Sequence, residues 1–471
     1  MGDSAVAQVL GYDIDSFRSA FGGSVLTEAD EGYDTARSLW NGAIDKRPAV
    51  IARCAEPHQV AAAISFARAN DLELSVRGGG HNFAGFAATD RGLMIDLSPM
   101  RSVRVDPAAR RAFCGGGATW ADVDGATQEH GLAVTGGFVS HTGIAGLTLG
   151  GGMGWLTRAI GLSCDNLAGA ELVTADGRLV RADAGTNPEL FWALRGGGGN
   201  FGVVTSFEFE LHPVGPMANI GLFFWPAERG AEALSFCREF VRTVPEDFGI
   251  LIAGLSAPPA PFVPEEHHFA IGYALLVVGF GSPEQHAAVV APLREGMPPL
   301  FEMVSPIPYT ALQQMFDAGN PWGTLAYEKA LHLEELTDAA IAVITEHFPR
   351  RHSPLSFMPV FVVDGAYARV ADDATAYSGS RSTRYVVNIA AVCPAPELYE
   401  LDRPWVRSFW DALRPHAVGS GSYVNFMSEY EEDRVRAAYG EAKYQRLARV
   451  KAEWDPENLF RLNANIRPAG G

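Results

Sequence analysis

Glycine is spread unevenly along this chain. It crowds into residues 77–85, 115–117, 136–154 and 196–202, with short β-rich and helix-like runs between the crowds. A residue without a Cβ reaches backbone angles closed to others and lets a ligand come close to its N–H. Successive exposed N–H groups form a concavity suited to anions such as phosphate. The first cluster, RGGGHNFAG, sets Arg77 and His81 around Gly78, Gly79 and Gly80. Tight turns account for glycine. They do not account for a histidine in the same turn.

Familiar glycine motifs do not fit. Gly197, Gly199 and Gly202 spell G-x-G-x-x-G, but a helix-like run (PELFWALR) precedes them and a strand-like run (VVTSFEFEL) follows. A dinucleotide fingerprint requires the reverse order. No Gly-Lys-Ser or Gly-Lys-Thr marks a Walker loop, and no Gly-x-Ser-x-Gly marks a serine nucleophile. His267 and His268 are adjacent, so on a strand they point to opposite faces and do not make a metal site. What remains is a set of glycine loops, all in the first 203 residues, able together to line a long cofactor that carries a diphosphate.

A chain of 471 residues with 47% hydrophobic content has material for more than one core. The formal charge of −18 argues against nucleic acid or an anionic membrane as partner. No run of about 20 apolar residues suggests a membrane span. MGDSAVAQVLGYD lacks the basic-then-apolar pattern of a signal peptide, and Val6 breaks the myristoylation pattern. The cysteines at 54, 114, 164, 237 and 393 are odd in number and widely spaced, which predicts reduced thiols and a cytoplasmic protein.

The periodicity predicts strands at AVIARC (49–54), LELSVR and GLMIDLS, and helices at EPHQVAAAISFARAND (56–71) and WADVDGATQEHGL. ELVTADGRLVRAD reads as a hairpin turning at Asp176-Gly177. After about residue 215 longer alternations appear: NIGLFFW, HHFAIGYALLVVGFG, TLAYEKALHL, TRYVVNIAAVC. Helix-like runs separate them, which predicts an antiparallel sheet with helices on one face. From about 420, SYVNF reads as a strand leading into amphipathic helix and an irregular tail. The expected organisation is therefore 1–215, 216–420 and a final 421–471.

Three long motifs, RGGGHNFAG, TGIAGLTLGGGMGWLTRAIGLSCDNL (142–167) and ELFWALRGGGGNFGVVTSFEFELHP (190–213), resemble the FAD-linked oxidases of the vanillyl-alcohol oxidase superfamily. The closing YVNF (423–426) and WDPENLFRLNANI (454–466) are similar to the berberine-bridge-enzyme-like branch, of bacterial type. The resemblance implies an α+β protein of two lobes. One binds FAD and is built from the first segment and the returning C-terminal segment. The other is an antiparallel sheet covered by helices, and it holds the substrate. It implies FAD contacts at Arg77, Gly78, Gly79, Gly80, His81, Asn82 and Gly85, at Thr142, Gly146, Gly150, Gly154 and Asn166, at Gly202, Val203 and Val204, and at Asn425 and Asn465. His81 matches the histidine that the family bonds to the flavin 8α-methyl. The second, cysteinyl tether of some members falls on Val139 here, and Cys164 lies past the segment, so one covalent link is expected.

The implied reaction is hydride transfer from a small alcohol, phenol or natural-product-like molecule to flavin N5, with dioxygen reoxidising the flavin and leaving as hydrogen peroxide. A flavin dehydrogenase with another electron acceptor is the alternative. The family often uses a tyrosine at the end of Tyr-x-Asn-Tyr as base. Phe426 stands there, without a proton to exchange. Tyr423 is then a contact with the flavin or its support. In TLAYEKALHL, strand periodicity sets residues 325, 327, 329 and 331 on one face. If that face meets the flavin, Tyr327 and Lys329 supply the base, a desolvated lysine losing its proton readily. Glu328 and His332 occupy the opposite face. The bacterial amine oxidases of the branch have glutamates where this chain has Leu331 and Leu333, which weighs against an amine substrate.

Overall fold

The structure is a computed structural model that describes residues 13–419, 423–430 and 432–470. The N-terminal stretch read for export and acylation patterns, up to residue 12, lies outside the described residues.

Ser24–Leu26 (β1), Val50–Arg53 (β2), Leu74–Arg77 (β3) and Leu93–Asp96 (β4) form a four-stranded sheet in the order β1-β2-β4-β3. β4 pairs in parallel with β2 and with β3, so a crossover must join β2 to β3. Helix Pro57–Ala69 supplies it. Proline suits its first turn, and the Glu56 and Gln59 side chains cap each other's backbone N–H. Val60, Ala63, Ile64 and Ala67 recur at helical spacing and pack on Val50, Leu74 and Ile95. The glycine turn therefore begins at the carboxyl end of a parallel strand, the end at which open α/β sheets take their ligands.

Val103–Asp106 (β5), Arg111–Gly115 (β6), Leu132–Ala133 (β7), Leu167–Val173 (β8), Leu179–Asp183 (β9), Val203–Glu210 (β10) and His212–Pro213 (β11) follow. Five of them make an antiparallel sheet in the order β5-β6-β10-β8-β9, and β7 pairs with β11. The β8–β9 hairpin turns at Asp176-Gly177, Gly177 taking φ +83°. On β10, Phe207 and Phe209 point inward and Glu208 outward, the alternation of a half-buried strand. Phe207 and Phe209 share one cluster with Trp192, Leu447, Ala448 and Ile466, so helix Glu441–Trp454 and the tail beyond it complete this core. Lys451 anchors that tail. Fully buried, its Nζ donates to Asn200 O, Phe460 O and the Asp455 carboxylate at 2.7, 3.0 and 2.7 Å.

The second lobe is a seven-stranded antiparallel sheet: Met217–Pro226 (β12), Phe248–Ser256 (β13), Ile271–Gly279 (β14), Phe301–Pro308 (β15), Leu325–Leu333 (β16), Met358–Val362 (β17) and Tyr385–Cys393 (β18). Their order is β15-β12-β14-β13-β17-β18-β16. Helices Gly230–Val241, Asp338–His347 and Pro396–Leu413 cover the outer face through Leu234, Ile341, Val406 and Phe409. The inner face, with Leu251, Phe361 and Val386, packs on Met153, Trp155 and Tyr423 of the first lobe. The α+β two-lobed architecture is as the motifs implied. The YVNF segment differs. Val424–Phe426 is a single 3-10 turn rather than a strand, closed by Phe426 N–H on Tyr423 O at 2.9 Å. Among the described residues no helix is long and apolar enough to cross a membrane.

Candidate active site

His81 sits where the glycine turn meets the 136–143 loop. Backbone packs on backbone there: a Cβ on Gly79 would stand 2.2 Å from Gly143 N, so only glycine closes this joint. The His81 ring stacks on Trp40 at 5.2 Å between centroids and meets the edge of Trp322 at 5.9 Å. Its Nε2 lies 2.8 Å from His141 Nδ1, and its Nδ1 lies 3.5 Å from Thr142 Oγ1. Burial, aided by the neighbouring His141, pushes His81 down to about 3, so the imidazole is neutral at any ordinary pH. A neutral ring nitrogen keeps the lone pair that bond formation needs.

The other motif residues divide between open and structural roles. Arg77 Nη1 bonds the buried Asp96 carboxylate at 3.2 Å, while its Nε is buried without a partner. Gly80 takes φ +71°, and Gly146 has open space where a Cβ would stand. Asn82 accepts from Phe86 N–H and donates to Tyr430 OH at 3.3 Å. Asn465 Oδ1 is buried and unpartnered, and the residue lines a cavity of about 280 Å³ with Tyr430, Glu432, Val435 and Arg467. Asn166 is committed to the fold: it donates to Ile160 O and Leu162 O and pairs with His212 at 2.7 Å. Gly78, Gly85, Gly150, Gly154 and Gly202 likewise make close protein approaches, Gly150 against Asn425 Oδ1 and Gly154 against Gly136 O. Val203 and Val204 lie buried in β10.

Tyr423 is a brace. Its buried hydroxyl accepts from Gly152 N–H at 2.7 Å and from Asn425 Nδ2 at 2.8 Å, and Asn425 Nδ2 also donates to Leu147 O. Burial raises the phenol far above its ordinary range. A hydroxyl so engaged braces the Gly152 loop against Asn425.

The expectation for Tyr327 and Lys329 needs correction. Both lie on the outer face of the sheet, under helix Pro396–Leu413 and beside Glu429 of the C-terminal segment. Tyr327 OH accepts from Arg407 Nε at 3.0 Å. Lys329 Nζ lies 4.8 Å from the centre of the Trp410 ring and 3.6 Å from the Glu429 carboxylate. Leu331 and Leu333 continue the same apolar row. The alternation along the strand was read correctly, and the side of the sheet was not. Four apolar or amphipathic positions on one face suit a helix-covered core at least as well as a cofactor.

The inner face of β16 carries Glu328, Ala330 and His332 instead. Glu328 is buried. Its Oε2 accepts from Asn388 Nδ2 of β18 at 2.7 Å, and its Oε1 has no partner. His332 Nε2 and Asn388 Oδ1 are also buried and unpartnered. Burial raises Glu328 to about 8, against the Asn388 hydrogen bond, and lowers His332 to about 4. Three buried polar atoms on one patch of sheet thus have hydrogen-bonding capacity that the protein does not use. Beside this row, Phe361 stacks on Phe138 at 5.0 Å and on Phe426 at 5.7 Å, and Phe138 meets Trp155 at 4.9 Å. The hydroxyl absent at Phe426 is thus replaced by a ring face. Glu328 N–H donates to Ser428 Oγ, and Ala326 O accepts from Asn41, which ties the strand to the C-terminal segment and to the glycine-turn side. The signal for Glu328 was in the sequence: the one acid in the strand LAYEKALHL.

The chain matches the model of an FAD binding domain over residues 48–183 and that of the berberine and berberine-like proteins over 422–467. It belongs to the FAD-linked oxidoreductases of the berberine-bridge-enzyme-like family, and it is an FAD oxidoreductase. Among its relatives, (R)-6-hydroxynicotine oxidase of Paenarthrobacter nicotinovorans is 31% identical over 466 residues, covering 95% of this chain and 97% of that one. An FAD-linked oxidoreductase of Dictyostelium discoideum is 29% identical over 460 residues, 97% of each chain. The crystal structure of 6-hydroxy-D-nicotine oxidase from Arthrobacter nicotinovorans superposes with a TM-score of 0.83 at 28% identity, covering 94% of this chain and 98% of that one. Wild-type BBE-like 1 from Physcomitrella patens shares the fold with a TM-score of 0.85 at 20% identity, covering 97% of this chain and 99% of that one.

The residues present fit FAD. A neutral imidazole with a free nitrogen, a left-handed glycine beside it, and the buried unpartnered Arg77 Nε and Asn465 Oδ1 are the donors and acceptors such a group takes.

Proposed function

We propose that this protein is an oxidase that holds FAD through a single covalent bond to His81 and oxidises a small, flat organic molecule bearing an ionisable hydroxyl, an alcohol, phenol or natural product. Held there, FAD would supply the two-electron oxidation of the substrate, with dioxygen as the terminal acceptor and hydrogen peroxide as its product. The observation that carries this reading is the buried Glu328 carboxyl on the sheet face that also carries an aromatic wall and meets the FAD lobe. A carboxyl raised to about 8 is half-ionised near working pH, where a general base is most effective. In its ionised form Glu328 accepts the hydroxyl proton as the substrate is oxidised. Asn388 steadies the ionised form through Oε2, and Oε1 is left to reach the substrate. Phe361, Phe138 and Phe426 offer ring faces for stacking and keep water from the reacting carbon. The relatives named as oxidases support oxygen as acceptor.

The test is a compound screen read by anaerobic flavin bleaching and by peroxide yield in air, with acid precipitation of the protein. The expected result is a yellow pellet, a colourless one for His81→Ala, and one peroxide per turnover. Bleaching without peroxide in air would make the protein a dehydrogenase. Flavin released wholly into the supernatant would remove the tether.

A further inference from the structure

Strand register turns part of the inner sheet face into a grid. On β16, Glu328 stands opposite Ala390 of β18, Ala330 opposite Asn388, and His332 opposite Val386. Across β18, Phe357 pairs with Ala390 and Phe361 with Val386. Directly opposed residues share a face, as do residues two apart on a strand. The grid has a near end and a far end. Asn41 Nδ2 donates to Ala326 O and to Phe83 O at 2.9 and 3.0 Å, which ties the start of β16 to the glycine turn. Glu328 therefore lies nearer that turn, and His332 is four residues beyond it. At a rise of roughly 3.3 Å per residue the two are roughly 13 Å apart, with only the Ala330 methyl group between them in their row. Asn388 donates Nδ2 to Glu328 Oε2 at 2.7 Å, so its Oδ1 is turned from that oxygen. Among the described residues neither Asn388 Oδ1 nor His332 Nε2 has a partner, although Asn388 is 4% exposed and His332 2%. Such atoms are costly to bury unbonded.

We propose that His332 and Asn388 form a distal subsite that selects the substrate: a flat molecule with a second, uncharged hydroxyl at the end opposite the one that faces Glu328. This rests on the reading that Glu328 receives the first hydroxyl's proton. Asn388 Oδ1 only accepts, so the distal group must donate a hydrogen. A neutral imidazole nitrogen either donates or accepts, and a hydroxyl meets both cases while also donating to Asn388. Burial lowers His332 to about 4, so the ring is neutral at ordinary pH, and the Asn388 amide carries no charge. The far end therefore offers no cation to a carboxylate. The span sets the length. Hydrogen bonds of about 2.8 Å at each end of the row leave roughly 7 Å between the two hydroxyl oxygens, the reach of two fused aromatic rings. Phe357 and Phe361 flank the grid on its β17 side and suit such rings.

The experiment titrates the holoenzyme by calorimetry with 2-naphthol, 2,6-dihydroxynaphthalene and 6-hydroxy-2-naphthoic acid. The parent is expected to bind the diol about tenfold more tightly than 2-naphthol, as for one added hydrogen-bonded group. The acid is expected to bind no more tightly than 2-naphthol. His332→Leu should bring the diol down to the affinity of 2-naphthol, leave 2-naphthol itself unchanged, and melt no lower than the parent, since it removes an unpartnered buried atom. His332→Gln, which keeps a donor and an acceptor, should retain part of the preference. A parent that binds diol and 2-naphthol equally, binds neither, or binds the acid as tightly as the diol overturns the proposal without any variant. A diol preference unchanged in His332→Leu, or both affinities falling together there, overturns it equally. Should His332→Leu not fold, the three affinities of the parent decide. Glu328→Gln should keep the diol preference. An unslowed bleaching rate in that variant refutes instead the base on which the proposal stands.

Discussion

Glu328→Gln separates the inner-face reading from every alternative. Burial lifts this carboxyl from its ordinary 4.5 to about 8. A difference of that size corresponds to roughly 5 kcal/mol between the two protonation states. The folded protein keeps a proton that the unfolded chain releases above about pH 4.5. The stability tied to that proton is complete below 4.5 and falls as pH rises through 8. Glutamine keeps the shape and the Asn388 contact without the titration. Denaturation followed by circular dichroism from pH 5 to 9.5 should show the variant gaining on the parent with rising pH, by at most roughly 5 kcal/mol. The same carboxyl as base predicts a parent bleaching rate that climbs with pH and levels off above about 8. The variant should be slower by about 10²–10⁴ and flat with pH. Parallel stability curves together with an unchanged alkaline limb would refute both the raised carboxyl and its catalytic role.

The outer face should behave differently. Tyr327→Phe and Lys329→Met should change the bleaching rate by no more than about threefold, since both side chains lie on the outer face of the sheet, opposite Glu328, a limit that stopped-flow absorbance can check. Asn388→Leu removes the hydrogen bond that holds the Glu328 carboxyl down, so the midpoint of the pH–rate profile should move upward from about 8. Tyr423→Phe deprives the buried Gly152 N–H of its acceptor and should cost about 1–3 kcal/mol of stability, read by denaturant titration.

The motifs carried much of this in plain view, for a physical reason. Gly79 and Gly80 are glycine because a backbone approach and a left-handed angle permit nothing else, and such demands leave fixed letters in a sequence. Asp176-Gly177, the Pro57 helix start and the β16 alternation are local signals of the same kind. The side of β16 that faces the first lobe was not legible, because period two states that two faces exist and not which is covered by helices. Helix Pro396–Leu413, more than sixty residues downstream, settles that by meeting Tyr327 and Lys329 with Arg407 and Trp410. The pairing of His81 with His141 was not legible for a similar reason: it crosses two loops, and no spacing within either loop announces it.

Helix Glu441–Trp454 and Ile466 complete the core that Trp192, Phe207 and Phe209 begin. During synthesis those three aromatic side chains leave the ribosome more than two hundred residues ahead of their partners. They stay without Leu447, Ala448 and Ile466 while the whole seven-stranded sheet is being made. The nucleotide lobe is thus finished last, although it is started first. Emergence of Ile466, rather than of the glycine turn, sets the earliest moment at which a cofactor finds a completed cradle.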